Sequence, residues 1–356
     1  ASMVGAPSSP VALFNFTQRV IGAVADFQNT TLKVQSTGPH DETMTTLRIA
    51  AAAYNFTIRY DDLCRVETIN GRSSVVAIAA GQVQNSTIQI GQPLVGGASR
   101  TKRMVVEWGT PTWGDGTSTV VDIASGVHVT SDATIGIYGA SLTANSTFAR
   151  ILTMDGATVQ SGSSIEVVDV AATLSSNAVG ETDGISVFRI ESCSFFAAGN
   201  GAVHPALRIH NVTVNATAVA SQARVMRLTA VDIQGGSVVL VNDSSFAIRS
   251  ERSMHVWFHA GGSLKDNGTS VAVIGSTFAG TSTRGPATFW RWSGDPTFSD
   301  GAAVIISRST AEAKVQAGTT STVDARGIDI DHVTFDTGAR FVVVHTTVAA
   351  RVIVHS

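Results

Sequence analysis

Along this chain, short β-branched and aliphatic runs alternate with polar turns, and each turn is followed by Ser or Thr ahead of an apolar anchor. The clearest copy, at 237–246, reads Ser-Val-Val-Leu-Val-Asn-Asp-Ser-Ser-Phe, and it returns at 270–278 as Ser-Val-Ala-Val-Ile-Gly-Ser-Thr-Phe. The anchors that close such units are Leu142, Leu174, Phe195, Val214, Phe246, Phe278, Ala311 and Phe335, separated by 32, 21, 19, 32, 32, 33 and 24 residues. Three consecutive gaps near 32 mark a structural repeat, and the shorter gaps read as coils without a loop insertion. Within the best copy, strand-length runs fall at 237–241, 245–249 and 254–259, and Gly261-Gly262 with Asn267-Gly268 marks the exit loop. Three short strands per period with no helical pattern predict an all-β chain wound as a parallel β-helix. Equivalent strands would lie about 4.8 Å apart, and the winding would be right-handed, as parallel crossovers nearly always are. An immunoglobulin-like sandwich would need two-residue hairpin turns, which are scarce here.

Residues 1–60 are less regular, with short apolar runs at 11–16, 20–25 and 31–34. They are assigned to an irregular N-terminal cap with the first turns, continuous with coils over 61–356 in one elongated domain. Strict alternation places His255, Trp257 and His259 on one strand face and Val256 with Phe258 on the other. It likewise puts Trp290 and Trp292 together, with Arg291 opposite.

Composition narrows the function. The chain of 356 residues is 14% charged with net charge −3, so it has no basic surplus with which to neutralise nucleic-acid phosphates. No run approaches the ~18 apolar residues of a membrane span, and no signal peptide opens the sequence; any membrane attachment would come from sequence outside it. Nine of its 12 asparagines begin Asn-x-Ser/Thr: Asn15, Asn29, Asn55, Asn85, Asn145, Asn211, Asn215, Asn242 and Asn267. With Ser and Thr at about a fifth of the chain, chance predicts about two or three such triplets. The excess points to N-glycosylation, and so to the secretory pathway and an extracellular or cell-surface setting. The competing explanation is that Asn-x-Thr reflects turns entering Thr-rich strands. Only Cys64 and Cys193 are available as thiols, and their separation favours two buried free cysteines over a bridge.

Candidate chemistry is sparse. The acidic clusters are Asp61-Asp62, Asp295 with Asp300, and Asp329 with Asp331 beside His332. Polygalacturonases on β-helices carry Gly-His-Gly and Arg-Ile-Lys in addition to their carboxylates, and neither string occurs here. These clusters are therefore read as turns, with no catalytic residue and no enzyme activity assigned. His255 and His259 lack a third ligand, so neither a metal nor another cofactor is expected. Arg100, Lys102 and Arg103 read as a solvated turn. Trp290, Arg291 and Trp292, with Trp257, are the candidate ligand platform, suited to a sugar ring or a protein contact.

Over about residues 120–356, units such as 237–246 and Ala-Leu-Arg-Ile-His-Asn-Val-Thr-Val at 206–214 resemble the dispersed gene family of trypanosomes, surface proteins with pectin-lyase-like β-helix regions. Sequon density and the Ala/Val/Thr/Ser bias are shared. Members of that family are much longer, with Cys-containing repeats and C-terminal membrane spans, so this chain would correspond to an N-terminal or internal piece. The resemblance implies a glycosylated surface protein suspected of adhesion. The expected function is accordingly an extracellular adhesion or structural module offering a rigid flank to a protein or glycan. The alternatives are a polysaccharide lyase or glycoside hydrolase on the same scaffold, and a subunit of an end-to-end extracellular filament.

Overall fold

A computed structural model describes residues 2–5, 11–36, 43–69, 72–79, 81–94, 102–108, 116–160, 162–197, 204–317 and 324–354. Among the described residues there are strands and turns and no helix. The strands pair in parallel, coil on coil, as in a parallel β-helix of about nine turns. One column holds ten strands, from Val24–Phe27 to Arg340–Val344. Partners in it lie 33, 30, 47, 30, 42, 32, 32, 33 and 37 residues apart. The coil at 237–264 shows the design: Ser237–Asn242 in the first column, Ser245–Ser250 in the second, and Met254–Leu264 across the third and a short fourth. The predicted three strands are present; the fourth column, with members such as Gln82–Gln84 and Thr158–Gln160, was not foreseen.

One sequence expectation is corrected. The first turns expected within residues 1–60 carry regular coil strands, where Val11–Phe16 pairs with Thr43–Ile49 and Val24–Phe27 with Thr57–Tyr60. The anchor series holds through Val214, Phe246, Phe278 and Ala311, which are register partners in the second column. Phe195 and Phe335 belong instead to the fourth column, paired with Val159 and Phe298, and Leu174 stands two residues beyond the partner of Leu142. Large apolar residues fill every column, so size alone does not identify which one an anchor occupies.

Corners are made by residues in the left-handed region. Asn211, Asp243, Gly275, Arg308 and His345 stand at one corner in successive coils, with φ of 52°, 49°, 60°, 50° and 49°. The residue after the corner is buried in the first four of these coils and half-buried at Thr346, and in four of the five it is Ser or Thr. Ser244 donates to the carbonyl of Asn242 at 2.9 Å and accepts the backbone N–H of Val212 at 3.1 Å. Ser276 and Ser309 repeat both contacts one coil further on. This ladder satisfies amides that a tight corner would otherwise leave without partners.

The core stacks at the same spacing. The Trp257 and Trp290 rings lie 4.5 Å apart and 6° from parallel, and Phe246 and Phe278 lie 5.2 Å apart and 9° from parallel. Cys64 and Cys193 are buried and free.

The third column bends in mid-strand. Its ladder skips one residue in most coils, and two between Ala149 and Leu152, so that two neighbours point inward together: Val75-Val76, Val120-Val121, Ile151-Leu152, Val187-Phe188, Val225-Met226, Val256-Trp257 and Phe289-Trp290. The outward residues are then three apart rather than two.

Candidate functional site

The bend brings two rows of outward side chains toward each other. One row runs Thr119, Arg150, Ser186, Arg224, His255, Thr288 and Arg326; the other runs Asp122, Thr153, Arg189, Arg227, Phe258, Arg291 and Asp329. Most are buried or half-buried although they face away from the core, so the surface is concave there. Cavities of 660 Å³ and 320 Å³ open on it, the larger lined by Arg224, His255, Phe258 and Arg291 and the smaller by Thr119, Asp122, Arg150 and Thr153.

The face carries a dense charge network. Asp183, within the long strand Ala171–Glu191 where the pairing register shifts between the second and third columns, accepts hydrogen bonds from both Arg224 and Arg227. Arg227 also reaches Glu191 at 2.9 Å, and Arg189 bonds the other Glu191 oxygen. The Arg224 guanidinium lies 4.4 Å from the Phe258 ring centroid, a cation–π contact. Arg326 reaches Asp329 at 2.9 Å, with Arg291 Nε 3.7 Å from the same carboxylate.

Burial and charge set the protonation states. Burial would raise the Glu191 carboxyl, but the Arg189 hydrogen bond and the Arg227 charge hold it below the usual range. Burial raises Asp122, against the opposing charges of Arg150 and Arg189. Arg150 is pulled down to about 10 by burial and by the charge of Arg189. His255 is pushed down to about 3, by burial first and then by Arg224 and Arg291, and is neutral at ordinary pH.

The expected tryptophan platform is not on the surface. Trp257, Trp290 and Trp292 are at most 1% exposed and form the core stack; only Arg291 faces out, into the groove. Alternation was right that Arg291 opposes the tryptophans but could not say which side was the core. For the histidines alternation fails, because the bend at Val256 sends His255 outward with Phe258 and leaves His259 inward with Trp257. The two histidines therefore share no face.

The acidic clusters are drawn apart. Asp329 lies on the concave face in its ion pairs, whereas Asp331 is exposed and 2.6 Å from His332 Nδ1. Asp61 accepts the N–H groups of Asn29 and Leu63, Asp62 accepts that of Gln92, and Asp295 and Asp300 are turn residues of positive φ. Arg100 lies outside the described residues; Lys102 is exposed and Arg103 bonds the Asp169 carbonyl.

Sequence reading passed over Arg150, Arg189, Arg224 and Arg227. Their signature was present as a recurring polar–apolar–apolar–polar quartet, as in Arg224-Val-Met-Arg227 and Thr288-Phe-Trp-Arg291.

Eight of the nine sequon asparagines are exposed. Asn242 is half-buried, its amide 2.8 Å from His210 Nδ1. Asn29, Asn55, Asn85 and Asn211 occupy corners at positive φ, and the Thr two residues later opens the next strand. Other corners keep that Thr without an Asn, as in Gly275-Ser-Thr277 and Arg308-Ser-Thr310. For these four triplets, and for Asn242 with its ladder serine, the fold itself accounts for the hydroxyl. Asn15, Asn145, Asn215 and Asn267 stand away from such corners, the first three within strands.

No protein-family model matches the chain, and no curated protein matches it.

Proposed function

We propose that this chain is a rigid binding module of an extracellular or cell-surface glycoprotein, and that its concave third-column face is the contact surface for an extended acidic glycan. The observation that carries the reading is the set of guanidiniums on its two rows, Arg150 and Arg224 on one and Arg189, Arg227 and Arg291 on the other, held along one groove by the coil repeat. Guanidiniums at rungs of about 4.8 Å offer a ladder of forked donors to carboxylate or sulfate groups spaced along a polymer. A pre-formed groove also avoids most of the ordering cost of binding. The glycoprotein setting rests on the sequons without a corner role, Asn15, Asn145, Asn215 and Asn267.

A second reading, hydrolysis of such a polymer, is favoured by one observation. Asp122, with its raised carboxyl, shares the smaller cavity with Asp155 and Arg150, and a raised acid beside a second carboxylate is the arrangement glycoside cleavage uses.

One experiment addresses both. The protein is secreted from eukaryotic cells, its mass is read before and after N-glycanase treatment, and it is applied to glycan and matrix-protein arrays beside an Arg227→Gln/Arg291→Gln variant. The account expects a mass loss on deglycosylation and capture by acidic glycans that the variant loses. Capture unaffected by the variant contradicts the contact surface, and new reducing ends in the bound glycan favour the hydrolytic reading.

A further inference from the structure

The structure assigns His255, Arg224 and Arg291 to a seat for one anionic group, a carboxylate or sulfate on a sugar ring, midway along the concave face. This inference rests on the reading of that face as the surface for an acidic glycan, and it names where a single residue of the polymer is held. The 660 Å³ cavity here is of the size that takes a small ligand. Arg224, Arg252, Arg284 and Arg291 line it, and among the described residues no carboxylate does. The carboxylates that partner these arginines stand outside the lining: Asp183 on Arg224, Glu251 at 2.8 Å from Arg284, and Asp329 at 3.7 Å from Arg291 Nε.

The seat has unmet hydrogen-bonding capacity. Among the described residues the Nδ1 of His255, which is 3% exposed, has no hydrogen-bond partner; the buried Nε of Arg224 has none either, and that of Arg291 has only the 3.7 Å ion pair with Asp329. Such unmet groups on residues that line one cavity represent a desolvation cost that a bound oxyanion would relieve. The imidazole is neutral, so it offers an N–H to the anion without adding a third like charge between two guanidiniums. Phe258 and Pro286 supply the apolar part of the wall, suited to the C–H face of a pyranose rather than to a bare inorganic ion.

The test is calorimetric titration of the intact chain with trigalacturonate, a heparin-derived tetrasaccharide, neutral galactotriose and inorganic sulfate. The acidic oligosaccharides should bind at least about tenfold more tightly than galactotriose and than sulfate, the value of one charge-assisted hydrogen bond. Arg291→Gln and His255→Phe should each weaken them about tenfold, with Lys314→Gln on the second column without effect. Arg291 is half-exposed, so its variant tests the seat even if the His255 variant does not fold. Equal affinity for acidic and neutral sugars, or for sugar and sulfate, overturns the proposal. If acidic polymers are captured through the concave face while Arg291→Gln leaves oligosaccharide affinity unchanged, the seat is wrong and the broader reading stands. If no acidic saccharide binds in either experiment, both fall.

Discussion

Two outer faces of the same coils face solvent with opposite chemistry. On the second column, the outward positions Thr213, Asn215 and Thr217, then Ser245, Ala247 and Arg249, are small or singly charged and exposed, each alternating with a buried partner. On the third column of those same coils, Arg224 and His255 also point outward, yet Arg224 is half-buried and His255 is buried. The difference lies in the backbone. A straight strand alternates cleanly and spreads its outward side chains over a flat face. A strand with two neighbours turned inward folds its outward rows together, so that charges there lose water and must pair with one another. Curvature, rather than outward orientation, decides which charges acquire energetic weight.

The largest effect should come from removing a shared acceptor. Asp183→Ala removes the carboxylate partner of Arg224 on the concave face, leaves Arg227 with Glu191 alone, and should cost about 3–5 kcal/mol in denaturant unfolding. Glu312→Ala removes the 3.3 Å contact with the exposed Arg351 on the flat face and should cost no more than about 1 kcal/mol. Equal losses would mean that the two faces do not differ as described.

A smaller effect is set by pH. His255 and His259 are held neutral, at about 3 and about 4, against an unfolded value of about 6.5. Between these values the unfolded chain binds more protons than the folded one, so stability rises with pH across the window. It is lost as pH falls from about 6.5 toward about 4. The low carboxyl of Glu191 acts in the same direction, but only once pH falls to the ordinary carboxylate range. Thermal unfolding midpoints between pH 4 and 7 should therefore slope upward, and His259→Gln should reduce the slope. An unchanged slope would show that burial of this histidine is not its source.

Much of the fold was legible because one rule repeats. In the coil at 237–264 the predicted strands match the observed ones closely, since β-branched runs and left-handed corners recur at nearly constant spacing. The groove was not read, because its information lies in a departure from the rule: Val256-Trp257 and Phe289-Trp290 both turn inward, and a period of two carried across Val256-Trp257 puts His255 on the wrong side. The tryptophans looked like a ligand platform because aromatic pairs serve cores and binding faces alike. In a column of stacked coils, Trp257 over Trp290 fills the core at the coil spacing. The asparagines carried two messages at once, since corners that favour Asn at positive φ also place Thr at the next strand start.

Hydrogen exchange of the intact chain with and without a heparin-derived tetrasaccharide tests the central claim most directly, by locating the contact on the coils. The account predicts added protection in Met254–Leu264 and Ala287–Ser293, on the concave face, with Ser245–Ser250 and Thr277–Ser282 on the flat face unchanged. Protection of the flat-face strands, with the concave strands unchanged, would contradict it.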